Sequence, residues 1–199
     1  MIGMIEPLVK EARGRRQVLR ALLVYGAGAI ASAAAMGALW GAVAFVVQRL
    51  TWGRPSIASV AVACAVLALV DLGVAGARPF GLARQTCSLW WRRLGPVPAW
   101  FCWGMDLGLG FSTYRATSLY WAAVLTVVLL APPVAAPLAM AAYGLGLVAN
   151  LAIAVLALGA RGLFSERSGP SMLYVRPARI VSAALLASWA SVALWLALT

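Results

Sequence analysis

VLRALLVYGAGAIASAAAMGALWGAVAFVVQ, residues 18–48, is a long apolar run that holds a single charge, Arg20. A helix rises about 1.5 Å per residue, so the run is long enough to cross a hydrocarbon core of about 30 Å. Within lipid, a segment has to satisfy its own backbone hydrogen bonds, which favours a helix. Of the 199 residues, 64% are hydrophobic and 11% are charged, unlike ordinary soluble domains. The sequence therefore predicts an integral membrane protein.

The apolar pattern repeats along the chain. We predict six apolar helical segments, at 18–48, 56–77, 98–113, 116–133, 136–160 and 179–198, with two basic connectors at 78–97 and 161–178. The spacing divides the segments into three plus three, as internal repeats of transporters would do. We therefore predict an all-α polytopic membrane protein that forms a single membrane domain over residues 1–199.

The third segment, 98–113, is expected to differ from the others. Basic residues collect on the cytoplasmic side of a membrane. If all six segments cross and the N-terminus is inside, nine basic residues lie inside and seven outside. If the third segment dips in and returns, or lies along the interface, the numbers become fourteen and two. Tryptophans that favour the headgroup level flank it: Trp90, Trp91, Trp100 and Trp103. A re-entrant or interfacial segment, with a cytoplasmic N-terminus, fits these observations better.

The residue types exclude most catalytic sites. The chain has no histidine, and neither Asp71 nor Asp106 has a second acid nearby, so a metal site or a Ser-His-Asp triad cannot be built. No glycine-rich phosphate loop is present, and no cofactor is predicted. The net charge of +11 comes from arginines between apolar runs, which argues against nucleic acid as a partner. Thiol–disulfide exchange is the one chemistry that the sequence could support.

Two of the three cysteines flank the turn at residues 95–98. A reversal there can bring Cys87 and Cys102 within the Cα separation of about 7 Å that a disulfide allows, and nearby arginines favour a thiolate at Cys87. Alternatively, both are small apolar residues of helices, which is how we interpret Cys64. The two interpretations stay open.

Asp71 and Asp106 are the acids within the apolar segments, and an ionisable group in lipid is a functional candidate. Each could bind a proton or a cation, or pair with an arginine inside the bundle. Asp71 lies near the end of its segment, so it can also reach the interface and meet Arg78, a structural role that we favour. Asn150 is expected to donate a hydrogen bond to another helix.

Small residues recur at four-residue spacing in the first segment, at Gly37 and Gly41 and, before them, at Gly26, Ala29 and Ala33. This spacing lets helices approach closely. We predict packing within the bundle, with a homo-oligomer contact as the alternative. The arginines and tryptophans of the first connector would suit anionic headgroups of the lipid bilayer.

LALVDLG (67–73) and WGMDLGLGFSTYRATSLYW (103–121), with the basic connector between them, resemble a group of small actinobacterial membrane proteins. These are distantly related to the CcdA/DsbD transmembrane family of cytochrome c biogenesis proteins and disulfide reductases. The shared elements are an acid near the end of the second span, an aromatic basic connector and a glycine-rich segment before a Thr/Ser-rich helix start. With YGLGL (143–147), the resemblance covers roughly the middle half of the chain.

The resemblance implies a three-plus-three inverted repeat that carries reducing equivalents across the membrane from a cytoplasmic thioredoxin. The family places a membrane-embedded cysteine in the first helix of each half, but segments 18–48 and 116–133 contain none. Cys87 and Cys102 lie in the connector region instead. The resemblance therefore supports a fold more than an activity.

The sequence thus predicts a small protein of the bacterial plasma membrane that moves reducing equivalents or a small solute, or that assists a neighbouring export or maturation system. Cys87 and Cys102 are the candidates for thiol transfer, and Asp106 and Asp71 for a substrate or ion path. The alternative is a non-catalytic membrane subunit that docks a membrane or cytoplasmic protein through its basic, Trp-rich connector.

Overall fold

The computed structural model of the protein describes residues 15–50, 57–77, 79, 89–110, 117–162 and 172–198. Over these residues the chain is helical and contains no strand, which confirms the all-α fold. The helices are α1 (Arg15–Leu50), α2 (Ile57–Leu72), α3 (Leu89–Leu94), α4 (Pro96–Leu109), α5 (Leu119–Leu130), α6 (Ala136–Gly162) and α7 (Met172–Leu198). Each of the six predicted segments contains one helix, and the short α3 is an addition within the first connector.

Three stretches are long and apolar enough to cross a membrane: Arg16–Leu50, Pro133–Ile153 and Pro177–Leu198. The shorter helices α2 and α5 are also apolar. Large hydrophobic side chains such as Leu185 and Trp189 of α7 are about half exposed. A surface of this kind is unfavourable in water but suits lipid. The chain is therefore a polytopic integral membrane protein.

The central helix is α1, and α6 packs antiparallel along it. A Cβ atom at Gly37 would lie less than 3 Å from the carbonyl oxygen of Ala136, and one at Gly26 would lie 3.1 Å from the side chain of Val148. Larger side chains at these positions would push the helices apart. The prediction that the small residues of α1 serve packing within the bundle is confirmed.

The helix α4 packs parallel to the N-terminal half of α1. A Cβ atom at Gly104 would lie less than 3 Å from the carbonyl oxygen of Tyr25, and one at Gly108 less than 3 Å from that of Ala29. Residue numbers rise together along the two helices, so they run in the same direction. The described part of the third segment is thus a single helix that runs alongside α1 and does not turn back.

Two tryptophans of α4 lie inside the protein. Trp100 and Trp103 are 7% and 3% exposed and pack against Ala21, Leu22 and Tyr25 of α1. These two rings therefore face α1 rather than lipid, and their place at the headgroup level stays a prediction. At a spacing of three residues they lie on the same side of α4, and this side faces α1.

The helix α5 continues along α1 beyond the end of α4. The indole N–H of Trp40 donates to the hydroxyl oxygen of Tyr120 at 3.2 Å, and the side-chain amide of Gln48 donates to the carbonyl oxygen of Val128 at 3.1 Å. Both pairs are 80 residues apart in sequence, so α1 and α5 run parallel. Together, α4 and α5 form one traverse alongside α1 that is interrupted between residues 109 and 119.

The helices α2 and α7 form a second pair. Their shared core contains Val60, Cys64, Ala68, Ala183 and Leu186. The last turn of α2 meets the first half of α7 and the start of α5, so α2 runs antiparallel to both. These contacts cut across the two halves of the sequence, because α1 packs with α4 and α6 whereas α2 packs with α7.

Candidate functional site

A buried carboxylate lies where three helices meet. Asp71, the penultimate residue of α2, is only 2% exposed. Its two oxygens accept the backbone N–H of Ser118, at 2.9 and 3.1 Å, and one of them also accepts the Ser118 hydroxyl at 2.7 Å. The other accepts the hydroxyl of Ser182 on α7. We call Asp71, Ser118 and Ser182 the carboxylate cluster.

Local sequence explains why the carboxylate is stable there. Ser118 immediately precedes α5, so the acid lies at a helix N-terminus, where the unpaired N–H groups and the helix dipole favour negative charge. The hydroxyls of Ser118 and Ser182 supply further donors. All these groups donate hydrogen bonds to the carboxyl oxygens, which offsets the cost of burying those oxygens in an apolar surrounding.

An arginine caps the end of α2 at the same place. The Nε atom of Arg179 donates to the backbone carbonyl of Asp71 at 2.7 Å, and one of its terminal nitrogens donates to that of Val70 at 2.9 Å. A cation at a helix C-terminus is favourable because the last carbonyls are unpaired. Arg78, the partner expected for Asp71, lies outside the described residues. In the described chain, the carboxyl group of Asp71 meets the two serines.

A tyrosine bridges the interruption between α4 and α5. Tyr120 is completely buried, and its hydroxyl donates to the carbonyl oxygen of Leu109, the last residue of α4, at 3.1 Å. Gly110 has a φ of 84° and lies so close to the Tyr120 ring that a Cβ atom would collide with it. The ring of Tyr120 also makes edge contacts with Trp121 and Tyr143. The two halves of the traverse are thereby fixed to each other.

The second candidate acid lies on the other side of the interruption. Asp106 is 4% exposed, three residues before the end of α4. It lies between Gly104 and Gly108, the residues that bring α4 against α1. Both acids identified from the sequence are therefore buried. Asp71 lies on α2 and Asp106 on α4, and both helices end near the interruption.

The cysteines do not form a pair within the described chain. Cys64 is a free, fully buried thiol in the core between α2 and α7, as expected for a packing residue. Cys102, on α4, is free and partly buried. Cys87 lies outside the described residues. The Cys87–Cys102 pairing stays a prediction.

One predicted polar contact is not found among the described residues. Asn150 donates from its side-chain amide to the carbonyl oxygen of Gly146, one turn earlier in the same helix, at 3.0 Å. Its side chain is exposed. It was expected to bond to another helix of the bundle, but α6 turns this residue away from α1.

Four residues of the site were not identified as functional from the sequence: Ser118, Ser182, Arg179 and Tyr120. Each is a polar residue within or beside an apolar segment, which is the signal that could have drawn attention to them. Their partners are 11 to 111 residues away in sequence, and no local pattern encodes such pairings.

Two kinds of donor meet the carboxyl group of Asp71. The hydroxyls of Ser118 and Ser182 can donate or accept, but the backbone N–H of Ser118 can only donate. In the part of the chain that the structure describes, no group of three metal-ligating side chains occurs.

Comparisons of the chain with models of protein families, with curated proteins and with solved structures give no match.

Proposed function

We propose that the protein is a transporter of the bacterial plasma membrane that moves a small solute, with the interruption between α4 and α5 as the place where the solute or a coupled proton binds. The observation that carries the proposal is the buried carboxylate of Asp71 at the start of α5, in the middle of an interrupted traverse. Interrupted helices with polar groups at the break are how transporters build binding sites within a membrane.

The contacts of Asp71 connect helices that transport would require to move relative to one another. Its carboxylate joins α2, α5 and α7 through Ser118 and Ser182, so a change in its charge acts on three helices at once. Asp106, buried near the end of α4, adds a second ionisable group to the region.

The orientation follows from the charges. The N-terminal end of α1, the start of α4 and the end of α6 lie on one side of the bundle. Of the sixteen basic residues, five precede α1 or lie in its first two turns, four lie between α2 and α4, and four lie from Arg161 to Arg179, whereas Arg49 lies in the last turn of α1 and Arg54 follows it. Under the positive-inside rule, this side faces the cytoplasm.

Ligand-induced stabilisation tests the transport proposal. The purified protein is heated with each member of a panel of amino acids, sugars, organic acids and alkali cations, because a bound ligand raises the melting temperature. We expect at least one solute to stabilise the wild type but not Asp71→Asn or Asp106→Asn, and to enter proteoliposomes that contain the wild type. Ser188→Ala, in which a hydroxyl that bonds within α7 is lost, is the matched control and should behave as the wild type.

Two different results would contradict parts of this proposal. If no solute of the panel stabilises the wild type, and proteoliposomes with an internal pH dye take up no more protons than empty ones, the transport proposal fails. If a solute binds equally well to Asp71→Asn and Asp106→Asn, transport survives but the site is elsewhere.

Thiol transfer is the second candidate, favoured by the CcdA/DsbD resemblance and by the free, partly buried Cys102 on α4. It requires Cys87 and Cys102 to form a reducible pair. Single-cysteine and two-cysteine variants would be labelled with a membrane-impermeant maleimide in cells and inverted vesicles. Labelling of the two-cysteine protein only after reduction, and only from the cytoplasmic side, supports the relay; labelling without reduction rejects it.

A docking subunit needs neither the acids nor the thiols. It would use the connector that contains α3, where Arg93 and Leu94 are exposed. The test expresses each variant in a deletion strain and asks whether it restores the wild-type phenotype. If variants at Asp71, Asp106 and the cysteines restore it but Arg93→Glu does not, docking is favoured over both transport and thiol transfer.

A further inference from the structure

The carboxylate cluster lies deep in the apolar part of the bundle. Ser118, which donates to Asp71, comes two residues before Tyr120, and Tyr120 accepts a hydrogen bond from Trp40 of α1. From there α5 runs for 12 residues, about 18 Å, to the turn before α6, which we place at the outer membrane surface. A hydrocarbon core of about 30 Å therefore continues for about 12 Å on the other side of Asp71.

The helix α6 indicates the same depth. Tyr143 makes a ring contact with Tyr120, so it lies at the level of the carboxylate cluster. The residues that follow it carry no charge as far as residue 160, and they include the exposed Leu145 and Ile153. Exposed apolar side chains of a membrane protein suit lipid. Hydrocarbon therefore extends to both sides of the level at which Asp71 lies.

A turn with irregular backbone lies at this depth. The helix α2 ends one residue after Asp71, and a short turn follows at residues 73–77. Within it, Ala75 and the glycines at positions 73 and 76 have positive φ angles. Val74 is 50% exposed, and Ala75 is exposed as well. Irregular backbone does not face lipid within the hydrocarbon region, but it does occur where it lines a water-filled cavity.

An arginine beside this turn points to water independently. Arg179 donates to the backbone carbonyls of Asp71 and Val70, and one of its terminal nitrogens lies 3.6 Å from the position of a Cβ atom at Gly73. Its side chain is partly exposed. Arginine stays charged in proteins, and a charged side chain at membrane depth faces the interior of the bundle or a water-filled cavity. The exposed part of Arg179 therefore calls for water, as the turn does.

We propose that a water-filled inlet reaches residues 73–77 from the cytoplasmic side, and that the solute or the coupled proton enters the carboxylate cluster through it. Toward the outside, the cluster is closed by the shared core of α2, α5 and α7, which contains Val60, Cys64, Ala68 and Ala122. A binding site that opens to one side and is closed to the other is what alternating access requires. The use of the inlet rests on the proposed function, and its side rests on the orientation given by the charges.

Cysteine accessibility tests the inlet. In a background without native cysteines, Val74→Cys and Ala75→Cys are treated with the membrane-impermeant anion sulfonatoethyl methanethiosulfonate, in inverted vesicles and in intact cells. The matched control is Leu39→Cys, because Leu39 is next to Trp40, at the same depth, and is 54% exposed on an apolar surface. Arg16→Cys, at the start of α1, gives the rate for a cytoplasmic thiol.

We expect both turn variants to react in inverted vesicles at least about 10-fold faster than Leu39→Cys, because the thiolate and the charged reagent both need water. Neither should react in intact cells. The inference is overturned if the turn variants react no faster than Leu39→Cys in inverted vesicles, or if they react in intact cells. Thermal unfolding in detergent checks the fold of each variant, and two positions are used so that a variant that does not fold leaves the other to decide.

The result is separate from that of the solute panel, because the labelling uses no transported solute. If the turn variants react as expected and no solute stabilises the protein, the inlet stands while the transport proposal fails. If a solute stabilises the protein but the turn variants react no faster than Leu39→Cys, the transport proposal stands and the inlet is overturned.

Discussion

The backbone N–H of Ser118 donates to the carboxylate of Asp71, 47 residues earlier in the chain, while the hydroxyl of the same serine donates to one of its oxygens. One residue thus gives the acid two donors and fixes the start of α5 against the end of α2. Because Asp71 also accepts the hydroxyl of Ser182, this carboxyl group adds polar bonds to the apolar contacts by which Ala122 of α5 packs against the α2–α7 pair.

Replacing Asp71 with asparagine should lower the stability of the protein. Asparagine keeps one acceptor oxygen for Ser118, but its NH₂ group replaces the oxygen that accepts from Ser182, so the Ser182 hydroxyl has to turn from donor to acceptor. We expect the free energy of unfolding to fall by about 1–3 kcal/mol, measured by denaturant titration in detergent. Ser182→Ala should cost about 0.5–1.5 kcal/mol, and Ser188→Ala less than about 0.5 kcal/mol. Equal effects of all three would show that Asp71 does not join the helices.

Gly104→Ala should separate α1 from α4. Alanine is a better helix former than glycine by about 1 kcal/mol, so propensity alone predicts stabilisation. The new methyl group would lie less than 3 Å from the carbonyl oxygen of Tyr25, and relieving such a clash costs about 1–3 kcal/mol. We expect a net loss of stability in thermal unfolding of the detergent-solubilised protein. Gly146→Ala, which meets nothing within 4 Å, is the control and should be neutral or stabilising in micelles that hold one chain each.

Tyr120→Phe should weaken the connection between α4 and α5. The ring contacts remain, but the hydroxyl that accepts from Trp40 and donates to Leu109 is lost. The expected cost is about 1–3 kcal/mol, since two partly buried polar groups lose a hydrogen-bond partner. A double-mutant cycle with Trp40→Phe measures the bond itself: the two effects should be non-additive by about 0.5 kcal/mol or more. Simple additivity would mean that the hydroxyl and the indole do not interact.

Three positions test the direction of the helices. In a background without native cysteines, Arg16→Cys at the start of α1 and Arg93→Cys in α3 should react with an impermeant maleimide from the same side of the membrane. Val134→Cys, in the turn between α5 and α6 and 90% exposed, should react from the opposite side. If Arg93→Cys and Val134→Cys label from one side together, α4 and α5 do not form a single traverse.

The membrane class and the helical segments follow from local composition. Any segment as apolar as residues 18–48 has to form a helix in lipid, so the position of each segment was predictable, and α1 and α6 extend only a few residues beyond the predicted bounds. The close approach of α1 to its neighbours was also predictable from the sequence. A glycine such as Gly37 weakens a helix, so its presence indicates that another helix packs against it.

The sequence by itself thus determined that the chain lies in a membrane, where its six segments lie, that its small residues pack helices together, and which two acids stand out in apolar surroundings. Only the tertiary structure decided that the third segment follows α1 as the first half of an interrupted traverse, that Trp100 and Trp103 are buried, and that Asp71 meets Ser118 and Ser182. The physical reason is that hydropathy and helix propensity are properties of neighbouring residues, whereas these contacts join residues far apart in the chain and depend on how the helices pack.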